Sequence, residues 1–231
     1  MDLTSCPASP KLWEQKLKSN GTTVLHCFIR RPAFSDSGKQ KRMERYFERL
    51  AQVWQMKWES DLYQKACQAF ARHTLDISFQ PWEAIMDYQI TYWSPPLLSI
   101  RINIQEQGPV TPPVSLCIGE VWDCSSGYPC SLRTFLPIKP RHWKYALIDQ
   151  LQKQAQLRLD SKESLLHPSC LSIIKQSFDP NRFYLTEDEL VIFYPLCTLA
   201  SYGEGIPTFT IPIAQQVQSN KFRAPSITAR R

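Results

Sequence analysis

The chain has 231 residues, with 27 Lys and Arg against 21 Asp and Glu, which gives a formal net charge of +6. Hydrophobic residues make up 43% and charged residues 21% of the sequence, and this globular composition excludes wholesale disorder. The longest uncharged apolar stretches, such as Leu190–Ala200, fall short of the roughly 20 residues that a membrane-spanning helix needs, so no membrane span is predicted.

The N-terminal segment is polar, and we expect residues 1–21 to be disordered or irregular. It has no apolar run behind a positive region, so no secretory signal is predicted and the chain as it stands is expected to be cytoplasmic. In that reducing compartment the eight cysteines should be mostly free thiols. The closest three, Cys117, Cys124 and Cys130, lack the spacing of structural zinc sites, so no metal or other cofactor is predicted.

The first predicted elements are a strand and a long helix. Thr22–Ile29 has apolar side chains on both faces and is predicted to be a strand. Lys39–Arg72 has apolar side chains at spacings of three and four, which predicts a helix with one broad apolar stripe. Because this helix is very long, we expect it to cross or follow a sheet, or else to break once near Glu59–Asp61.

The clearest strands come next. Alternation of side chains in Met86–Trp93 and Leu98–Gln105, on both sides of a Ser-Pro-Pro turn, predicts an antiparallel hairpin with one buried and one solvent-exposed face. Trp93 falls on the polar side of this alternation and is therefore expected to be exposed. A third strand is predicted at Val114–Trp122, with a turn at Cys124–Pro129.

Helices and a second hairpin complete the pattern. Two further helices are predicted at Trp143–Ala155 and around Cys170–Phe178. A hairpin joins Arg182–Leu185 to Leu190–Tyr194, and the last strand, Ile206–Ile213, contains prolines that place it at a sheet edge. Since the strands come as hairpins, the predicted fold class is α+β, with antiparallel sheets packed against one long and two shorter helices.

The positive charge is concentrated at the C-terminus. Lys221–Arg231 has four basic and no acidic side chains, and residues 216–231 are predicted to be a basic, flexible tail. The remaining surplus is too small for a nucleic-acid-binding surface. Between the irregular N-terminal segment and this tail we predict an N-terminal module at 22–140 and a C-terminal module at 141–215.

No catalytic motif stands out in the sequence. The four histidines are His26, His73, His142 and His167, and no two of them have the spacing of a helical metal-binding pair. No serine lies in a Gly-x-Ser-x-Gly motif, and the acidic trio Glu187–Glu189 lies in a predicted turn. Two alternatives stay open: a hydrolase whose site is assembled from scattered residues, and a cysteine-based metal or redox protein.

The C-terminal third contains a recognisable block. The segment NRFYLTEDELVIFY at 181–194, followed by LASYGEG at 199–205 and FTIP at 209–212, resembles a bacterial domain of unknown function. That family is found in the extracellular region of the anti-sigma factor RsiV and in the accessory region of the peptidoglycan deacetylase PdaC. A looser similarity upstream, including the helix at Arg45–Trp58, extends the resemblance to about 22–213.

The resemblance implies an α+β fold with a binding role rather than a catalytic one. In RsiV-like proteins this region recognises lysozyme, and in the deacetylase the chemistry belongs to a separate zinc domain, whose His-x-x-x-His motif is absent here. The resulting hypothesis is a non-enzymatic binding module of a cell-envelope or sporulation-associated family, with a protein or a cell-wall glycan as its ligand. The candidate binding residues are Trp93, Tyr194, Tyr202 and Glu204.

Overall fold

A computed structural model describes residues 6–36, 38–73, 78–109, 112–136, 142–161 and 164–213 of the chain. Its strands form a six-stranded sheet, which we call the large sheet, and a three-stranded sheet, which we call the small sheet. The large sheet has the order β1 (Ser9–Ser19), β2 (Thr22–Ala33), β3 (Trp82–Ser94), β4 (Leu97–Gln107), β5 (Val114–Asp123) and β6 (Tyr128–Pro129). The small sheet has the order β7 (Phe183–Leu185), β8 (Glu189–Phe193) and β9 (Thr208–Pro212).

The helices are α1 (Gln40–Lys57), α2 (Tyr63–Ala71), α3 (Trp143–Ser161) and α4 (Cys170–Gln176). A π-helical turn joins α1 to α2 as one long helix, so the predicted α+β class with one long and two shorter helices is confirmed. Within the described residues, no helix combines the length and the apolar character needed to cross a membrane. The predicted basic tail, 216–231, lies outside the described residues.

The N-terminal segment that was predicted to be irregular contains a strand instead. β1 pairs antiparallel with β2 across a turn at Asn20 and Gly21, whose φ angles are 49° and 83°. Positive φ at both central residues is the geometry of the tightest hairpin turn, and Asn-Gly is its strongest sequence signal. The prediction was wrong because polar side chains in the segment obscured its period-two pattern, although every second residue from Trp13 to Ser19 is half-buried.

The long helix is the connection between two parallel strands. β2 and β3 pair in parallel, so the chain must cross the length of the sheet between them. The π-helical turn at Trp58–Leu62 lies where a break was predicted, and the helix continues through it. Trp58 and Leu62 are both buried, because the widened turn keeps side chains four residues apart on the face toward the sheet.

A β-bulge in the first hairpin changes which side chains face the helix. β3 and β4 pair antiparallel as predicted, but the register shifts between Ile90 and Tyr92. The extra residue reverses the alternation, so Trp93 packs in the core beside the long helix while Tyr92 packs on the opposite face. The expected exposure of Trp93 is therefore wrong: its ring is half-buried and its indole N–H lies in the interior.

Within the described residues, the two larger hydrophobic cores lie on opposite faces of the large sheet. The helix-side core contains Leu98 and Trp122 together with the buried stripe of α1. The second core contains the neighbouring residues Leu97 and Val121, and it joins the large sheet to the small sheet, α3 and α4. The face of the β3–β4 hairpin that was predicted to be solvent-exposed is thus partly covered.

The contact between the two sheets is close and hydrogen-bonded. Leu185 N–H of β7 donates to the fully buried hydroxyl of Ser99 in β4 at 2.8 Å. Gly119 of β5 faces β7, and a Cβ atom at this position would overlap the carbonyl oxygen of Phe183. β7 therefore lies against one end of β4 and β5 and leaves the other end uncovered.

Candidate functional site

The uncovered end of the large sheet forms a groove of about 550 Å³, which we call the sheet groove. Its floor consists of β4 and β5, and its wall consists of the small sheet and the loop from Leu196 to Ile206. At Gly119 the two sheets are in close contact, and the groove lies beside this contact.

The floor carries polar side chains because alternate residues of a strand share a face. Arg101, Asn103 and Gln105 line the groove from β4, and Ser115 and Cys117 line it from β5. Asn103 and Cys117 are directly opposite each other in the β4–β5 register. Within the described residues, the side-chain amides of Asn103 and Gln105 have no hydrogen-bond partner, so their donors and acceptors are available to a ligand.

Arg101 is the basic residue of the groove, and it has no carboxylate partner among the described residues. Its guanidinium lies over the ring of Tyr184, with Cζ 5.8 Å from the ring centroid, and its Nε is buried without a hydrogen-bond partner. Other arginines of the large sheet differ in this respect. Arg31 pairs with Glu44 at 2.7 Å, and Arg30 forms two hydrogen bonds to Asp87.

The groove has little of the chemistry that covalent catalysis requires. Burial raises the pKa of the Cys117 thiol to about 11, although the positive charge of Arg101 acts in the opposite direction. At neutral pH this cysteine is therefore a protonated thiol and a poor nucleophile. No described histidine lines the groove, so Cys117 has no imidazole base beside it there.

The wall of the groove brings together two of the four predicted binding residues, Tyr202 and Glu204. Tyr202 is 44% exposed, and its hydroxyl donates to the carbonyl of Pro113 at 2.9 Å. The carboxylate of Glu204 accepts hydrogen bonds from Leu165 N–H at 2.7 Å and from the Ser164 hydroxyl at 3.2 Å. These bonds hold the short helical turn at 202–204 in place, so Glu204 positions the loop.

The other two predicted residues lie away from the groove. Tyr194 is 1% exposed; its hydroxyl donates to the carbonyl of Ile174, and its ring packs edge-on against Phe209. Burial raises the pKa of Tyr194 above its ordinary value. Trp93 packs in the helix-side core. These positions favour packing roles for both side chains, and the binding roles of Tyr202 and Glu204 stay predictions.

The sequence interpretation missed Arg101, Asn103 and Gln105. Their alternation with buried isoleucines was visible, but it indicated only a solvent-exposed face. The signal available in the sequence was the combination of this polar face with the aromatic residues Tyr184 and Phe193 in the recognised C-terminal block. Nothing in one sequence indicates that these segments face each other.

A second, smaller cleft contains a histidine and two acidic residues. His26 Nε2 lies 2.8 Å from a carboxylate oxygen of Glu14, and Glu83 lines the same cleft, which has a volume of about 220 Å³. Both members of the pair are partly exposed, and no serine, threonine or cysteine lines this space. Throughout the described residues, this cleft included, no group of three His, Cys, Asp or Glu side chains is arranged to hold a metal ion.

Comparisons with known proteins relate the chain to one family. Residues 138–214 match a family model described as "Protein of unknown function (DUF3298)". Crystal structures of two DUF3298 family proteins are similar in fold to more than nine-tenths of the chain. The protein from Bacteroides fragilis has 16% identity and a TM-score of 0.57, with 93% of this chain and 94% of that chain covered.

The protein from Pseudomonas aeruginosa has 15% identity and a TM-score of 0.57, with 91% of this chain and 92% of that chain covered. No curated protein shows significant similarity to the chain. At these identities the likeness to the two crystal structures concerns the fold alone. The matched residues 138–214 include the C-terminal block at 181–212, so this part of the chain carries a DUF3298 domain.

Proposed function

We propose that this protein is a non-enzymatic binding module whose sheet groove takes a short segment of a cell-wall glycan. The observation that carries the proposal is a concave space of about 550 Å³ lined both by the exposed ring of Tyr202 and by the free amides of Asn103 and Gln105. Concave sites of this size hold small ligands or single units of a polymer. A stable protein interface buries roughly 800 Å² on each partner, which favours the glycan over a protein ligand.

The chemistry of the lining suits a sugar. A pyranose ring has an apolar face of C–H groups and a rim of hydroxyls, so it needs an aromatic ring beside the face and hydrogen-bonding groups at the rim. Tyr202 provides the ring, and the two amides provide both donors and acceptors. Because β4 supplies both amides, their spacing is held by a paired strand.

A binding role also fits the state of the reactive groups in the groove. The thiol of Cys117 is protonated at neutral pH because burial raises its pKa to about 11. The Glu204 carboxylate is engaged by Ser164 and Leu165. A glycoside hydrolase needs two carboxyl groups across one bond, and Glu204 is the only acidic residue among the described groove residues.

The test is calorimetric titration of the full chain with two peptide-free tetrasaccharides. One is neutral chitotetraose, and the other has alternating N-acetylglucosamine and N-acetylmuramic acid units. We expect at least one to bind, and Tyr202→Ala to weaken that binding by about 10-fold because the stacking ring is lost. Tyr202→Phe should retain most of the affinity, since it loses only the hydroxyl that contacts Pro113.

Tyr145→Ala is the matched control, because Tyr145 is 71% exposed on α3 and does not line the groove. The proposal is wrong if neither tetrasaccharide binds, or if Tyr145→Ala and Tyr202→Ala have equal effects. Chromatography of each sugar after prolonged incubation with the protein tests the hydrolase alternative. Shorter products that disappear with Tyr202→Ala would replace a binding role with a catalytic one.

A further inference from the structure

Arg101 is the one basic side chain among the described groove residues, and it forms no ion pair within the described chain. The residue is half-buried on the floor, and its Nε has no solvent exposure and no hydrogen-bond partner. Burying a charge without a partner costs free energy, so such groups are normally paired. The contact with the Tyr184 ring, 5.8 Å from Cζ to the centroid, offsets part of this cost but provides no hydrogen-bond acceptor in the guanidinium plane.

Two carboxylates in this part of the fold accept hydrogen bonds from groups other than Arg101. Asp87 of β3 lies opposite Asn103, two positions along β4 from Arg101, and its two oxygens accept hydrogen bonds from Arg30. Glu204 lines the groove, and its oxygens accept hydrogen bonds from Ser164 and Leu165. Neither acid forms an ion pair with Arg101, so the guanidinium is free to receive an anion from outside the chain.

We propose that the ligand of the sheet groove is an acidic oligosaccharide, and that Arg101 binds its carboxylate. This inference rests on the proposed glycan-binding function and adds the charge of the ligand. A guanidinium presents parallel N–H donors that match the two oxygens of a carboxylate, and such a pair fixes orientation as well as adding affinity. The neighbouring Asn103 lies two residues along β4 on the same face and reaches the hydroxyls of the sugar that carries the acid.

The position of Arg101 lowers the free-energy cost of binding a carboxylate. The side chain of Arg101 is already partly desolvated and held over Tyr184, so a carboxylate gains its attraction without first immobilising a freely moving arginine. The charge of Arg101 also acts on the floor residue Cys117, whose pKa it lowers against the larger effect of burial. An anion lying on the floor beside Arg101 would be attracted by the same charge.

The experiment compares two forms of one sugar on the unmodified full chain. The tetrasaccharide of N-acetylglucosamine and N-acetylmuramic acid is titrated with its lactyl carboxylates free and again as methyl esters. We expect the free acid to bind at least about 10-fold more tightly than the ester. Its affinity should fall as NaCl is raised from about 0.05 to about 0.5 M, because screening weakens the ion pair. The ester should show little dependence on salt.

Variants then assign the effect to Arg101. Arg101→Gln should lower affinity for the free acid about 10-fold or more and leave affinity for the ester nearly unchanged, while Arg101→Lys should be intermediate. Arg182→Gln is the matched control, because Arg182 pairs with Asp179 at 3.5 Å and does not line the groove. The comparison of acid with ester does not depend on the folding of any variant.

The two proposals fail in different ways. If acid and ester bind equally, or if Arg101→Gln weakens both to the same degree, the carboxylate assignment is wrong even though Tyr202→Ala still weakens sugar binding about 10-fold. If neither form binds but neutral chitotetraose does, the carboxylate assignment is wrong and the glycan function stands. If none of the three sugars binds, the glycan function itself is wrong. Tight binding of a poly-glutamate peptide with no binding of either sugar would assign the anion to a protein partner and overturn both proposals.

Discussion

At the scale of single residues, the arginines of the large sheet lie in two kinds of environment. Arg31 is 5% exposed and pairs at 2.7 Å with Glu44, which is 13% exposed and also accepts a hydrogen bond from Phe34 N–H. Arg101 occupies the other face and has no acidic partner among the described residues. A satisfied buried pair stabilises the fold, whereas an unsatisfied cation beside a groove is available for binding.

The Arg31–Glu44 pair predicts a specific loss of stability in acid. Burial raises the pKa of Glu44, but hydrogen bonds from Arg31 and Phe34 outweigh it and leave the folded pKa below the ordinary value. The stabilisation is therefore present above the unfolded pKa of about 4.3 and is lost as pH falls through the folded pKa. We expect Glu44→Gln to lower the free energy of unfolding by about 3–5 kcal/mol at pH 7, since Arg31 loses its counter-charge.

Urea unfolding of the native chain and Glu44→Gln at a series of pH values measures this effect, and the difference should shrink as the native Glu44 becomes protonated. Glu14→Gln is the control, because the ion pairs that Glu14 makes with His26 and Lys16 are exposed and should contribute less than about 1 kcal/mol. A difference that stays constant from pH 7 to pH 3 would contradict the electrostatic explanation.

At the scale of elements, the groove exists because β7 packs closely on one end of β4 and β5. Ser99 accepts the N–H of Leu185, and Gly119 leaves no room for a side chain against the backbone of Phe183. Gly119 lies opposite Arg101 in the β4–β5 register, and the groove continues from there along β4 past Asn103 and Gln105.

This arrangement predicts that Gly119→Ala is disruptive. A Cβ at Gly119 would overlap the Phe183 carbonyl, and a backbone group cannot move aside as a side chain can. We expect the free energy of unfolding to fall by about 1–3 kcal/mol, as measured in urea. Gly203→Ala is the control, with an expected change within about 0.5 kcal/mol. Its Cβ would lie 3.1 Å from the flexible end of the Leu165 side chain, so equal effects would contradict this account.

The strands and helices also show which structural features local sequence patterns predict. Alternation predicted the β3–β4 hairpin, and spacings of three and four predicted the long helix; both are present. The bulge between Ile90 and Tyr92, which directs Trp93 into the helix-side core, was not predicted. Whether a strand adds a residue depends on the register of its partner, which alternation within one strand does not encode.

At the scale of the whole molecule, one sheet contributes to two cores. Leu98 and Trp122 face the long helix, while their neighbours Leu97 and Val121 face the small sheet. The boundary between the predicted modules, 22–140 and 141–215, stays a prediction. We propose that these modules unfold together, because removing the C-terminal part would expose the apolar side chains of β4 and β5 to water.

Two buried cysteines test this cooperativity directly. Cys27 lies in the helix-side core and Cys170 in the second core, and both are fully buried. We expect a thiol reagent, applied in increasing urea and read by peptide mass spectrometry, to label both with the same midpoint, since each requires the whole molecule to open. Labelling of Cys170 at clearly lower urea than Cys27 would instead indicate a C-terminal module that unfolds by itself.

Patterns in the sequence predicted most local elements: the β3–β4 and β7–β8 hairpins, the helices, the edge position of the last strand and the α+β class. They missed the β1–β2 hairpin. The parallel pairing of β2 with β3 and the contact of Arg101 with Tyr184 became visible only in the folded structure. Such contacts join segments far apart in the chain, as the Ser99–Leu185 hydrogen bond does across 86 positions. Their formation depends on how complete elements pack, which no local pattern specifies.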